Sequence, residues 1–126
     1  MEPVNLFDLA SKQAAWLSVR QSSIAGNIAN VNTPGYTATD VVSFQKVLDQ
    51  TSVSLRATHS GHLGTGASQA GFAVRPQEFT GVLMPSKNTV EIENELLKSG
   101  EVRRSFELNT AIVKAFHTMI MSTVKG

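Results

Sequence analysis

His59 and His62, three positions apart, are the side chains here best suited by type to hold a metal, and Glu78 or Asp40 could add a carboxylate. A zinc hydrolase of that kind needs its imidazoles on one rigid face and a glutamate placed to move a proton, as in a His-Glu-x-x-His helix. Neither condition is met: the pair stands in a Gly/Ser-rich stretch and no Glu accompanies it at that spacing. Histidine and serine in such a setting are ordinarily solvated turn residues. No Gly-x-Ser-x-Gly elbow exposes a nucleophilic serine. With no cysteine the chain has neither a thiol nucleophile nor a thiolate ligand. The residues therefore predict no catalytic group, no metal and no cofactor, and a His-ligated metal hydrolase is the weakest reading.

Binding of nucleic acid is disfavoured on charge. Eleven Lys plus Arg face ten Asp plus Glu, with no run of like charges, whereas phosphate recognition rests on clustered Lys and Arg. A helix-turn-helix would carry only Arg20 on its reading stretch. At 126 residues the chain has the size of one domain. Asp8 and Lys12 interrupt the apolar start that a secretory signal needs, and no segment approaches the ~20 apolar residues of a membrane span. The expectation is a soluble chain without a cleaved address.

The elements that dominate are two helices at the ends. Phe7, Ala10, Ala14, Leu17, Gln21, Ile24 and Ile28 alternate by three and four, a seam held over three heptads. The spacing predicts a helix over roughly Val4 to Asn30, about 40 Å long, with Lys12, Gln13, Arg20 and Asn27 on its outer faces. An ordinary amphipathic helix packed on its own core would show the same stripe. Toward the other end, Val102, Phe106, Asn109, Val113, Phe116, Ile120 and Thr123 keep the same rhythm, broadened by Ile112, Ala115 and Met119. Asn88 with Glu91 resembles a capping box at the start of that helix. Glu91, Glu93 and Glu95 suit the positive end of the helix dipole. Asn109 within the stripe is placed to fix register. Gly100 is a weak point costing about 1 kcal/mol relative to Ala.

Between the helices the pattern is lost. Five of the nine glycines fall between Gly61 and Gly81. Residues 72–75 and 79–84 could be short extended pieces, without an evident partner strand. So long a stretch without periodicity is usually functional or ordered by a partner. The expected fold is mainly α: an N-terminal helix over 1–32, an irregular linker over 33–87 and a C-terminal helix over 88–126, with both ends forming one coiled-coil-like assembly domain.

The turn after the first helix is the most specific local signal. In Thr33-Pro34-Gly35-Tyr36, proline presets φ at the second position and glycine accepts the positive φ that a type II turn needs at the third. Pro34 also disfavours helix at Thr33, so the first helix must stop near Asn30 to Asn32. A well-made helix stop is one reading of this segment. A cytoplasmic coiled-coil adaptor or export chaperone would explain the two seams, but not this turn or the unpatterned middle.

Asn27-Ile28-Ala29-Asn30, followed by Thr33, Pro34, Gly35 and Tyr36, resembles the N-terminal motif of the axial proteins of the bacterial flagellum, the rod, hook and hook-associated subunits. Their pattern runs approximately Ala-Asn-Asn-Ile-Ala-Asn-x-x-Thr-x-Gly-Tyr, and Arg20, Gln21 and Ile24 match its lead-in. Gly26 departs from the commoner Asn. The shortness of the chain, Thr58 to Leu63, Asp40-Val41 and Asn88 to Glu93 resemble a short subunit of the proximal rod, although Thr39 stands where a basic residue is common. Residues 64–87 add nothing to the resemblance.

The resemblance implies a structural part rather than an enzyme. Its end helices would pair into a tube around an export channel, with the seam residues Phe7, Ala10, Ala14, Leu17, Ile24, Ile28, Val102, Phe106, Val113, Phe116 and Ile120 serving assembly. Two such stripes on one short chain offer more apolar surface than two helices bury between themselves. The implied partners are copies of itself, other rod subunits, components of the inner-membrane ring and export gate, and the flagellar export apparatus. Neither nucleic acid nor a small-molecule substrate is implied. The subunit would leave the cytoplasm uncleaved through the type III apparatus and stand in the periplasm-spanning rod. Phe44 and Leu48 match a Phe-x-x-x-apolar export element, a pattern with only two constraints. Another short rod subunit is the nearest alternative.

Overall fold

The structure, a computed structural model, describes residues 4–53, 72–79, 81 and 85–125. Two long helices dominate it: α1, Val4–Ala29, and α3, Ile92–Lys125. Between them come β1, Thr39–Val41, a ten-residue helix α2, Phe44–Val53, and β2, Val74–Pro76. At 1.5 Å per residue, α1 is about 39 Å long and α3 about 51 Å, so α3 overhangs its partner.

The two helices lie antiparallel. Phe7 meets Phe116 in an edge-on ring pair at 5.4 Å. Asn109 reaches Ala10 and Gln13, Leu17 and Ile24 pack with Val102, and Asn27 meets Glu95. The core is thus a narrow strip in which Leu17, Ile24 and Val102 are buried, with Trp16, Ile28 and Phe106 packed against it. Burial of each such aliphatic side chain contributes about 1.5–3 kcal/mol.

The start and end of each helix follow from local chemistry. At the end of α1 the Asn30 N–H bonds to Gly26 and Asn27 and the Thr33 N–H to Asn30, a tightened last turn before the proline. Asn30 Nδ2 also donates to the Gly26 carbonyl at 2.8 Å, a second bond to that acceptor. The second long helix begins later than the capping-box reading places it. Ile92 is its first residue, and the Glu91 carbonyl accepts the first intrahelical bond, from the Glu95 N–H at 3.1 Å. Asn88 is drawn elsewhere, to the carbonyls of Asn30, Val31 and Thr33 in the segment that follows α1.

The middle is more structured than its pattern suggests. β1 and β2 form a two-stranded antiparallel sheet, with Asp40 opposite Arg75 and Val41 opposite Val74. Helix α2 falls inside the stretch expected to be irregular. It is held by Phe44, whose ring lies 5.8 Å from Trp16 of α1. His59, His62, the Thr58–Leu63 segment and most of the glycine-rich run lie outside the described residues. Among the described residues, no helix is long and apolar enough to cross a membrane.

Candidate functional site

The motif residues, with Asn88 and Glu95, meet in one place, where the end of α1, the turn after it, β1 and the first turn of α3 come together. Gly35 has φ +73°, and the Tyr36 N–H donates back to the Thr33 carbonyl at 3.3 Å, as a type II turn requires. The turn is then stitched to the segment before α3. The Gly35 N–H reaches the Ser86 carbonyl at 2.8 Å, the Thr89 N–H reaches Tyr36 at 3.0 Å, and the Ala38 N–H reaches Thr89 Oγ1 at 2.8 Å.

Asn88 closes this turn from the other side. Its Nδ2 lies 2.9 Å from the carbonyl oxygens of Asn30 and Val31 and 2.8 Å from that of Thr33. Two N–H bonds serve three acceptors, so one is shared. Its Oδ1 accepts the Val90 N–H at 2.8 Å. One side chain therefore ties down the segment that follows the first helix and fixes the approach to the second. Thr33 Oγ1 adds a bond to Asn30 Oδ1 at 3.1 Å.

Asn27 sits deeper. The outer-face placement expected for it does not hold: it is 0% exposed. Its amide pairs with the Thr39 peptide in the way another strand would. Nδ2 donates to the Thr39 carbonyl at 2.7 Å and Oδ1 accepts the Thr39 N–H at 3.0 Å. That pairing satisfies the side of β1 facing away from β2, which is why a polar residue is buried here at all. Nδ2 also reaches Glu95 Oε2 at 3.1 Å, Tyr36 OH lies 3.4 Å from Oδ1, and Ser23 Oγ donates to the Thr39 carbonyl at 2.9 Å.

Around Asn27 runs a charged layer. Glu95 Oε1 accepts from Lys98 Nζ at 3.1 Å, and Lys98 extends to Gln77 Oε1 at 2.6 Å and Asp40 Oδ2 at 3.7 Å. Arg20 Nε meets Asp40 Oδ1 at 3.3 Å, its guanidinium lies 5.5 Å from the Trp16 ring centroid, and Trp16 Nε1 donates to the Val42 carbonyl at 2.8 Å. Arg20 is thus not a free outer-face cation either. Among the described residues no buried side-chain nitrogen or oxygen lacks a partner. The groups are consumed by bonds within the chain, an arrangement suited to holding geometry. Asp40 is tied into these ion pairs, Glu78 is exposed, and no group of three potential metal ligands occurs among the described residues.

The seam positions divide unevenly. Leu17, Ile24 and Val102 are buried between the helices. Ala10, Ala14, Ile28, Phe106, Val113, Phe116 and Ile120 are half-buried, and Phe7 is exposed at its edge. Leu17, Ile24 and Val102, with Ile28 and Phe106 against them, and Phe7 with Phe116, pack within the chain. Ile112, Ala115 and Met119, expected to widen that stripe, stand outside it and are exposed. With Leu97 and Leu108 they make a second apolar face on α3 that α1 does not cover. Phe44 and Leu48 are half-buried on α2, Phe44 against Trp16. Of the motif, Ala29, Thr33, Pro34 and Gly35 remain exposed.

Sequence reasoning missed Trp16, Thr39 and Lys98 as parts of this joint. It read Glu95 only as a helix-dipole residue, and gave Asn88 the role of a helix cap. A polar residue on the approach to an apolar seam was the available signal.

Comparison with known proteins points one way. The family model described as "Flagella basal body rod protein" matches residues 14–37, the stretch from Ala14 to Thr37 that contains the turn. The chain is also 43% identical to the flagellar basal body rod protein FlgB of Agrobacterium fabrum (strain C58 / ATCC 33970), over 99% of this chain and 96% of the relative.

Proposed function

Since the chain belongs to the flagellar basal body rod protein family, as a structural subunit of the rod, we propose that its polar joint and the uncovered face of α3 are the parts that build it into the proximal rod. The observation that carries this reading is the apolar surface left over once α1 and α3 have paired. Leu97, Leu108 and Met119 are 67%, 62% and 64% exposed, with Ile112 beside them. Apolar side chains aligned along one helix face mark a surface that another chain covers. A contact between unlike faces that does not close on itself generates a helical array.

In this reading the joint is a mechanical part, not a catalytic one. It holds α1 and α3 side by side and aims the turn at Pro34 outward, where exposed residues are available to a neighbour. The partners are further copies of the chain, other rod subunits and the ring and export-gate components at the rod base. The subunit reaches the periplasm through the flagellar type III apparatus without cleavage. Phe44 and Leu48 are the candidate export element. Replacing both with alanine should leave soluble protein in the cytoplasm, and secretion at the parent level would dismiss the element while leaving the rod reading intact.

The assembly face is tested by charge. Ile112→Glu with Met119→Glu alters exposed positions, so the isolated chain should keep its helix content. Cells carrying only this variant should be non-motile while still exporting it. Full motility would remove this face from assembly.

A further inference from the structure

The buried residues of α3 stand seven apart: Glu95, Val102 and Asn109. Seven residues return a helix to the same stripe against a packed partner. The middle residue is apolar and joins Leu17 and Ile24 in the core. The outer two are polar, and each is tied to α1. Glu95, 1% exposed, accepts from Asn27 at 3.1 Å while its other oxygen accepts from Lys98 at 3.1 Å. Asn109 donates to the Ala10 carbonyl at 3.0 Å and to Gln13 Oε1 at 3.3 Å.

An apolar stripe accepts several alignments, because methyl groups pack against methyl groups wherever they meet. A buried amide or carboxylate does not, since leaving it without a partner costs its full desolvation. No slide of one heptad suits both polar residues. In one direction Asn109 would leave the Ala10 carbonyl for Pro3, ahead of the first residue of α1 at Val4, and Gln13 for Leu6, whose apolar side chain has no acceptor. In the other Glu95 would leave Asn27 for Pro34, beyond the last residue of α1 at Ala29.

We propose that Glu95 and Asn109 form a two-point register key. It selects the antiparallel, in-register pairing of α1 with α3 of the same chain over slipped pairing and over pairing with helices of other copies. Buried polar pairs add little stability over well-packed apolar residues but do fix alignment. Such a key matters in a chain that also exposes Leu108, Ile112 and Met119, because nonspecific helix pairing between copies would otherwise compete with its own fold.

The test uses the isolated chain and does not depend on the rod reading. The protein has no cysteine, so an introduced pair reports alignment without background. Phe7→Cys with Phe116→Cys marks the native register, where the two rings lie 5.4 Å apart. In this background oxidation should give mainly an intrachain cross-link in a monomer. Adding Asn109→Leu should preserve the helix content and the melting temperature, yet lower the intrachain cross-link severalfold and produce cross-linked dimers and a larger mass by light scattering. If the leucine variant loses its helix, Asn109→Ala takes its place with the same expected pattern. An undiminished intrachain cross-link in a monomeric variant would overturn the proposal. So would loss of helix in both variants, which would make Asn109 a stability residue.

Discussion

Asn27 shows why an amide, and no close relative of it, is required at the end of α1. Its two ends pair with the N–H and the carbonyl of one residue, Thr39, while a third bond goes to the Glu95 carboxylate. Asn27→Ala leaves these groups buried and unpaired and should cost about 2–4 kcal/mol. Asn27→Asp should cost more, because it removes the donor and sets a carboxylate against Glu95. Urea unfolding of the two variants checks the order, and an aspartate variant as stable as the parent would contradict the pairing. At Gly35 the cause is the backbone. No atom lies within 4 Å of where a Cβ would stand, so crowding is absent, but φ is +73°. Gly35→Ala should therefore cost about 1–2 kcal/mol, with Gly35→Asn milder, from the left-handed conformation alone. Pro34→Ala should lose less than about 1 kcal/mol, since alanine adopts the same φ. Equal effects of Gly35→Ala and Gly35→Asn in thermal unfolding would mean that φ is not the cause. The turn was legible in sequence because proline and glycine act locally. The burial of Asn27 was not, because it depends on a peptide in β1 that reaches it only through the fold.

Among the elements, the end helices could be read from spacing, since an apolar stripe repeating by three and four over several heptads fits the helical period and no strand's. Helix α2 escaped because it is short and no local pattern announces the ring contact between Phe44 and Trp16 of α1. Residues 72–75 were read as a possible extended piece and β2 overlaps them, but its pairing with β1 escaped for another reason. β1 and β2 are three residues each, far apart in sequence, and every residue of β2 is exposed, so no alternation marks it. The start of α3 was misread because Asn88 has the chemistry of a cap and spends it on the carbonyls of Asn30, Val31 and Thr33. Two measurements belong at this scale. Gly100 lies inside α3, and no atom stands within 4 Å of the place a methyl group would take, so Gly100→Ala should stabilise the chain by about 0.5–1 kcal/mol. A lowered thermal midpoint would indicate a role for that glycine beyond the helix. Phe116→Ala should cost roughly 1–2 kcal/mol, less than the about 3–5 kcal/mol of a fully buried ring, since its partner Phe7 is 36% exposed. A double-mutant cycle with Phe7→Ala should return a coupling of about 0.5–1.5 kcal/mol. Zero coupling would separate the two rings in solution.

For the whole molecule, the surface left uncovered says as much as the core. The strip between α1 and α3 is narrow, and large apolar side chains remain along α3. The polar joint, by contrast, is complete within the chain. A part so made is rigid at one end of the helix pair and unsatisfied along one face, which suits a subunit that gains its remaining contacts from neighbours. The family could be read from the motif around the turn, whereas the face that neighbours cover could not. The seam spacing marked Leu17, Ile24, Ile28, Val102 and Phe106, which pack within the chain, and only the fold separates these from the outward set of Leu97, Leu108, Ile112 and Met119. The central claim is tested most directly by quantitative mass spectrometry of purified basal bodies from cells that express the parent chain or Ile112→Glu with Met119→Glu. The parent should appear in a fixed ratio to the other rod subunits, and the folded variant should be missing from the particles. Basal bodies complete without the parent chain, or variant present at the parent ratio, would contradict it.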